Sequence, residues 1–314
     1  MTTTTGDIGV EVWRGGVNTW ECDEMGHMNV RFYVARALEG MVGLAALLGL
    51  PHAFSQNGAS TLLIREQHIR FLRESMAGAA LRMRGWVVEL GETDARLMLV
   101  LFHASGEPAA TFQTVVSHVT PVEGRAFAWN DETRRRANAL TGPIPDFAAA
   151  RSVDLSPFET QASNARADAL GLTHLTLGAV MAGDCDVFGR MSAEQFIGRV
   201  SDGIPGLVGP MRQTIVETAD DRPARVGGAV LEYRLVHLDW PRAGDRIAIR
   251  SGVAGVEEKT QRMIHWMLDP DSRRVWGVSE AVAVTLDLDR RKIVPVSGAA
   301  RAALEAATVK GLTL

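Results

Sequence analysis

The sequence is poor in cysteine, in tyrosine and in excess charge of either sign. Two cysteines, Cys22 and Cys185, in 314 residues cannot build a disulfide scaffold. Thirty-three Lys and Arg against 37 Asp and Glu leave a net charge of −4, without the basic excess usual in a nucleic-acid-binding protein. No apolar run approaches the roughly 18 residues that a membrane span needs, so no membrane partner is expected. The opening MTTTTGDIGVEVW has neither a basic nor an apolar leader region, so no secretory signal is expected. The motifs G-x-S-x-G, H-E-x-x-H and C-x-x-C are missing, and so is a glycine-rich nucleotide loop. What is present is 46% hydrophobic and 22% charged residues, enough to fill a core. A cytoplasmic chain of about two domains is expected.

An internal repeat accounts for the length. Glu21 to Arg36 (ECDEMGHMNVRFYVAR) aligns with Asp184 to Arg199 (DCDVFGRMSAEQFIGR) at an offset of 163. Five of these 16 positions are identical: Cys22/Cys185, Asp23/Asp186, Gly26/Gly189, Met28/Met191 and Arg36/Arg199. Chance would give about one. At offset 166 further matches follow: Glu66/Glu232, Gly78/Gly244, Arg84/Arg250, Val87/Val253, Glu92/Glu258 and Arg96/Arg262. Two copies are too few for a solenoid, but they suit a pseudo-symmetric pair, the single-chain counterpart of a two-fold dimer.

Each copy reads as strand, helix, four strands. In the first, a strand over 9–18 leads to a loop carrying Cys22 to Met28. Apolar residues then recur from Tyr33 to Leu48 at helical spacing, with Asn29 as N-cap and Gly49 and Pro51 as the stop. Strands follow near 61–72, 81–90, 96–104 and 109–119, joined by short glycine-marked turns that suit antiparallel neighbours. The second copy repeats the order. A strand over 175–181 precedes a helix opened by the capping box Ser192/Gln195, which Gly203 and Pro205 end or kink early. Its remaining strands fall near 229–238, 246–254, 261–268 and 275–286. Between the copies, 131–140 is a polar helix capped by Asn130, its Arg134 to Arg136 run facing solvent, and Gly142 to Pro145 starts a linker. Ser297 caps a last helix, and the N-terminal threonines are expected to fray. One long helix on five antiparallel strands is a two-layer α+β unit, and a sheet no wider than the helix is long can curl around it.

The densest polar cluster lies where the first strand ends and the long helix begins: Asp23, Glu24, His27 and Asn29, with Gly26 shaping the turn. A helix N-terminus presents unpaired N–H groups that can polarise a carbonyl and hold a developing oxyanion. A carboxylate beside it can attack the carbonyl carbon or activate water. That equipment suits acyl transfer to water. The plain alternative is a loop in which Asp23 and Asn29 serve as turn and cap residues and His27 packs. Cys22, Asp23 and His27 form at best a weak metal set, so no metal is expected, and both cysteines read as packing residues.

Asp23-Glu-Met-Gly26-His27-Met-Asn29 followed by Tyr33 resembles the D-x-x-G-H-x-N-x-x-x-Y signature of hotdog-fold acyl-CoA thioesterases, the 4-hydroxybenzoyl-CoA thioesterase-like group. Asp184-Cys-Asp186-Val-Phe-Gly189 resembles the opening of the same signature, and Glu66-Gln-His-Ile-Arg-Phe-Leu-Arg with Gly78 fits the family's second strand. The resemblance implies two hotdog domains in one chain, 1–140 and 171–314, with a linker at 141–170. It implies hydrolysis of an acyl-CoA to acid and CoA with no cofactor. Asp23 then matches the catalytic carboxylate, as nucleophile or general base. His27 and Asn29 match catalytic-motif residues that shape the pocket or position substrate and water, and Tyr33 a substrate-side helix position that packing explains equally well. Asp186 repeats the carboxylate, but Arg190 and Ser192 replace His27 and Asn29, so the second site is altered, inactive or devoted to binding, with Arg190 a candidate for a CoA phosphate. A non-catalytic acyl-CoA or acyl-carrier binding protein of the same fold is the other reading. Association into a homo-oligomer of double-hotdog chains stays open.

Overall fold

The computed structural model describes residues 8–218, 223–296 and 298–314. The N-terminal threonines and the Ser297 cap therefore lie outside the described residues. The chain forms two compact units: one of residues up to Ala149 together with Cys185–Glu194, the other of Ala150–Asp184 and Gln195–Leu314.

In the first unit β1 (Val10–Gly16) is followed by α1 (Val30–Leu47), β2 (Thr61–Phe71), β3 (Ala80–Leu90), β4 (Asp94–His103), β5 (Pro108–Val119) and α2 (Asp131–Ala139). The strands are antiparallel in the order β1-β3-β4-β5-β2. Asn29 caps α1 by accepting a hydrogen bond from the Arg31 N–H at 3.0 Å, and Gly49 (φ +89°) ends it. Tyr33, Val34, Ala37, Met41, Leu44 and Ala45 recur every three or four residues and are buried. The helix lies close on β1. A Cβ on Gly43 would sit 2.3 Å from the carbonyl oxygen of Val12. Gly43→Ala is therefore expected to destabilise by about 1–3 kcal/mol through overpacking, although alanine is the better helix former by about 1 kcal/mol; a urea midpoint against wild type reads the sign. Asn130 caps α2 as expected, and Arg135 and Arg136 turn to Glu132 on its surface.

The second unit contains α3 (Asn164–Ala169), β6 (Thr173–Ala179), α4 (Ala193–Gly203, whose first two residues group with the first unit), α5 (Pro205–Thr218), β7 (Val226–His237), β8 (Arg246–Val256), β9 (Gln261–Leu268), β10 (Val275–Asp287), β11 (Lys292–Ile293) and α6 (Gly298–Ala306). Its main strands run β7-β10-β9-β8-β6, with β11 pairing β10. Each unit thus has the five-stranded antiparallel sheet and helical layer of a hotdog. β6 starts two residues earlier than expected because Thr173 already pairs with Ser251 of β8. The helix breaks at Gly203, as Gly203 and Pro205 predict. It then resumes for 14 residues, with Pro205 at the first helical position where its missing N–H costs nothing. α3 and α5 were not legible in the sequence pattern.

The segment between the copies is not slack. In the first unit Phe147 and Ala148 cover Trp86, Met98, Val100 and Phe102 on the sheet's outer face, and the Trp86 indole donates to the Pro143 carbonyl at 2.9 Å. In the second, Phe158, Ala162, Ala167 and Leu172 cover Ile264, Trp266 and Leu268, joined by Leu312 and Leu314. No helix among the described residues is long and apolar enough to cross a membrane.

Candidate functional site

The loop between β1 and α1 is built by its own backbone. Asp23 N–H donates to the His27 carbonyl at 2.7 Å, and Gly26 N–H donates to the Asp23 carbonyl at 3.0 Å. Gly26 takes φ +79°, a region that L side chains enter at a cost. Inside this turn Asp23 Oδ1 accepts the N–H groups of Met25 (2.9 Å) and His27 (3.1 Å). One carboxylate oxygen is thereby fixed, and the plane of the group with it. Asp23 is half-buried, whereas His27 is buried and its Nε2 lies 3.4 Å from Glu74.

The second copy repeats this turn atom for atom. Asp186 N–H donates to the Arg190 carbonyl at 2.7 Å, Gly189 takes φ +75°, and Asp186 Oδ1 accepts from the N–H groups of Phe188 (2.8 Å) and Arg190 (3.0 Å). The difference lies in the fifth residue. Arg190 folds back so that its Nε meets Asp186 Oδ2 at 3.2 Å, with its guanidinium over the Phe188 ring. Where the first loop has a histidine directed to another acid, the second has a cation on the repeated carboxylate.

Both loops are tied to the helices that follow by an ion pair. Glu21 is buried, accepts the Asn18 N–H at 2.8 Å and pairs with Arg36 of α1. Asp184 pairs with Arg199 of α4 at 3.0 Å. These partners were visible in the repeat as matched positions, although nothing in spacing alone said that they touch.

Tyr33 is buried with its ring edge-on to Phe71. Its hydroxyl accepts the Ser75 N–H at 3.0 Å and points at the Arg73 carbonyl at 3.5 Å. Burial pushes the phenol up, so it remains neutral. Its visible work is to hold the β2–β3 connection, whose Glu74 is the partner of His27. Tyr33→Phe leaves the Ser75 N–H short of a partner and is expected to cost about 1–2 kcal/mol in chemical denaturation, with a smaller effect on turnover.

Asn29 is occupied as the helix cap, its side chain on Arg31 N–H and its own N–H on the Glu21 carbonyl at 2.8 Å. The Cys22 thiol lies near the Asn18 carbonyl, and burial and then the neighbouring Asp23 carboxylate push it up, away from a thiolate nucleophile. Among the described residues no group of three or more His, Cys, Asp or Glu side chains gathers as a metal site. Sequence reasoning missed Glu74, because nothing local marks a residue that reaches the loop only through the β2–β3 connection.

The profile of the thioesterase-like superfamily matches residues 17–137 and again 180–304. No curated protein matches the sequence. Among solved structures, a protein of Lactobacillus plantarum provisionally described as an oleoyl thioesterase superposes with a TM-score of 0.67 at 12% identity, covering 89% of this chain and 98% of its own. An acyl-ACP thioesterase from Bacteroides thetaiotaomicron gives 0.63 at 11% identity, covering 86% and 96%. A 12:0-ACP thioesterase from Umbellularia californica gives 0.63 at 11%, covering 86% and 92%. At such identities the likeness speaks for the double-hotdog fold.

Proposed function

Since the chain belongs to the thioesterase-like superfamily and is thereby a thioester hydrolase of double-hotdog architecture, we propose that it hydrolyses an acyl-CoA to the free acid and CoA, with Asp23 as the reacting carboxylate. The observation that carries this reading is the Asp23 turn. Two backbone N–H groups hold Oδ1, which leaves Oδ2 to take a proton from water or to attack the thioester carbon. In the first case water adds as Asp23 accepts its proton, and the tetrahedral intermediate expels CoA thiolate. In the second an acyl-enzyme anhydride forms with loss of CoA thiolate and is then opened by water. His27 and Asn29 keep the loop and the start of α1 in register, and the N–H groups of that first turn favour charge on the carbonyl oxygen. Tyr33 serves as a positioning residue on the substrate side. Asp186 and Arg190 form a substrate-binding counterpart rather than a second catalytic centre, because Arg190 neutralises the carboxylate.

A panel of CoA esters and the matching acyl-carrier-protein esters, read by thiol release, tests this. Hydrolysis of CoA esters that disappears in Asp23→Asn is the expected result. Release from carrier-protein esters alone would overturn the choice of substrate. Tight binding without thiol release would make the chain an acyl-CoA binding protein and overturn the role of Asp23.

A further inference from the structure

The helix-facing sides of the two sheets differ at one row. In the first unit Gly85 pairs with Leu99, Leu99 with Phe112 and Phe112 with Ile69 across β3, β4, β5 and β2. This row is apolar, and a Cβ on Gly85 would touch Leu99 and Leu44 of α1. In the second unit the same register places Ser251 beside His265, His265 beside Ser279 and Ser279 beside Leu235. Glycine, leucine and phenylalanine have become serine, histidine and serine. All three are at most 1% exposed. Ser251 Oγ lies 2.8 Å from His265 Nδ1, and Ser279 Oγ lies 2.8 Å from the hydroxyl of buried Tyr233. His265 Nε2 is buried and has no hydrogen-bond partner among the described residues. Burial pushes the imidazole down to about 3, so it is neutral, with one nitrogen donating and the other accepting. An unsatisfied buried polar atom is costly, and an apolar row is the ready alternative, as the first unit shows.

The row also lies between the parts of the sheet that α4 and α5 cover. On one side, Gly277 of β10 sits beneath Phe196 of α4. On the other, Met263 and Ala283 sit beneath Val208 of α5. In strand register the polar row runs between those patches, while the turn from α4 to α5 reaches the edge strand, with Gly203 against Leu175 and Thr176 of β6. The first unit has an unbroken 18-residue helix at the corresponding place.

We propose that the helix-facing side of the second unit's sheet is a binding site for an acyl group, and that His265 Nε2 hydrogen-bonds an uncharged oxygen, hydroxyl or keto, carried on that acyl chain. The proposal rests on the thioester-hydrolase reading and adds the substrate class. A carboxylate at that point would lie against a neutral, fully buried ring with no cation in the row, so dicarboxylic acyl chains are disfavoured.

The test compares saturated CoA esters with hydroxy- and oxo-acyl-CoA esters of equal length, oxygenated at successive carbons. In wild type at least one oxygenated ester is expected to exceed its plain counterpart in kcat/KM by tenfold or more, because a site that hydrogen-bonds a substrate group rejects the analogue lacking it. His265→Leu, which restores the first unit's residue, is expected to bring that ratio to within threefold of one. If this variant does not fold, His265→Phe keeps a ring to stack on Tyr233 and is read instead. No oxygenated ester preferred, or a preference that survives the substitution, overturns the proposal. Calorimetric binding of free hydroxy- and plain fatty acids to the Asp23→Asn protein separates the two readings. If no ester is hydrolysed the hydrolase reading falls, while a tenfold difference in acid affinity abolished by His265→Leu supports the site and equal affinities overturn it.

Discussion

Replacing Asp23 with asparagine is expected to lower kcat by about 10²- to 10⁴-fold, the range that a positioned general base or nucleophile supplies. The substitution is nearly isosteric. The asparagine side-chain oxygen can still accept the N–H groups of Met25 and His27, so the turn is preserved and the unfolding midpoint stays close to wild type. What is lost is the basicity of the second oxygen. Asp186→Asn is the control with the same geometry. Its carboxylate is already held by Arg190 at 3.2 Å, and its removal is expected to change kcat less than threefold while raising KM. Equal losses in both variants would show two working centres per chain and would refute the asymmetry drawn from the fifth loop residue. Steady-state rates with a saturating ester and a stability measurement on each protein suffice.

The second large effect is on stability. Glu21→Ala is expected to destabilise the first unit by about 3 kcal/mol, because removing one partner of a buried ion pair strands the other. Glu21 is 3% exposed, and it also accepts the Asn18 N–H, so two contacts of the loop are lost together: that bond and the pair with Arg36. Arg36 retains Glu39, which is exposed and solvent-screened and compensates weakly. Asp184→Ala, at the matched position of the second copy, is expected to cost about 1 kcal/mol or less, since its side chain is 24% exposed. Denaturant unfolding followed for the two variants gives the comparison, and equal midpoints would refute it.

Much of this was legible in the chain. The periodicity of Tyr33 to Leu48, the Asn29 and Asn130 caps and the glycine-marked turns gave α1, α2 and all ten main strands to within three residues of their bounds, because each signal is local. The repeat gave the duplicated turn, and matched glycines at 26 and 189 marked the positive φ that both loops need. Tertiary contacts were less legible. The meeting of His27 with Glu74, the engagement of the Tyr33 hydroxyl by Ser75, and the polar row through His265 depend on which strands lie side by side. A lone histidine in MIHWML reads as ordinary strand until its neighbours across β8 and β10 are known. Residues 141–170 read as a linker because glycine and proline dominate its start, yet Phe147, Ala148, Phe158 and Ala162 are seated on sheets.

That last arrangement bears on self-assembly. Two indoles, Trp86 and Trp266, are each latched by a carbonyl of the chain's own irregular segments, Pro143 in one unit and Thr313 in the other, both at 2.9 Å. The greasy exterior around each of these indoles is upholstered from within the same polypeptide. Stacking one copy's sheet on another's at these two places would first require peeling away a covering that both tryptophans fasten.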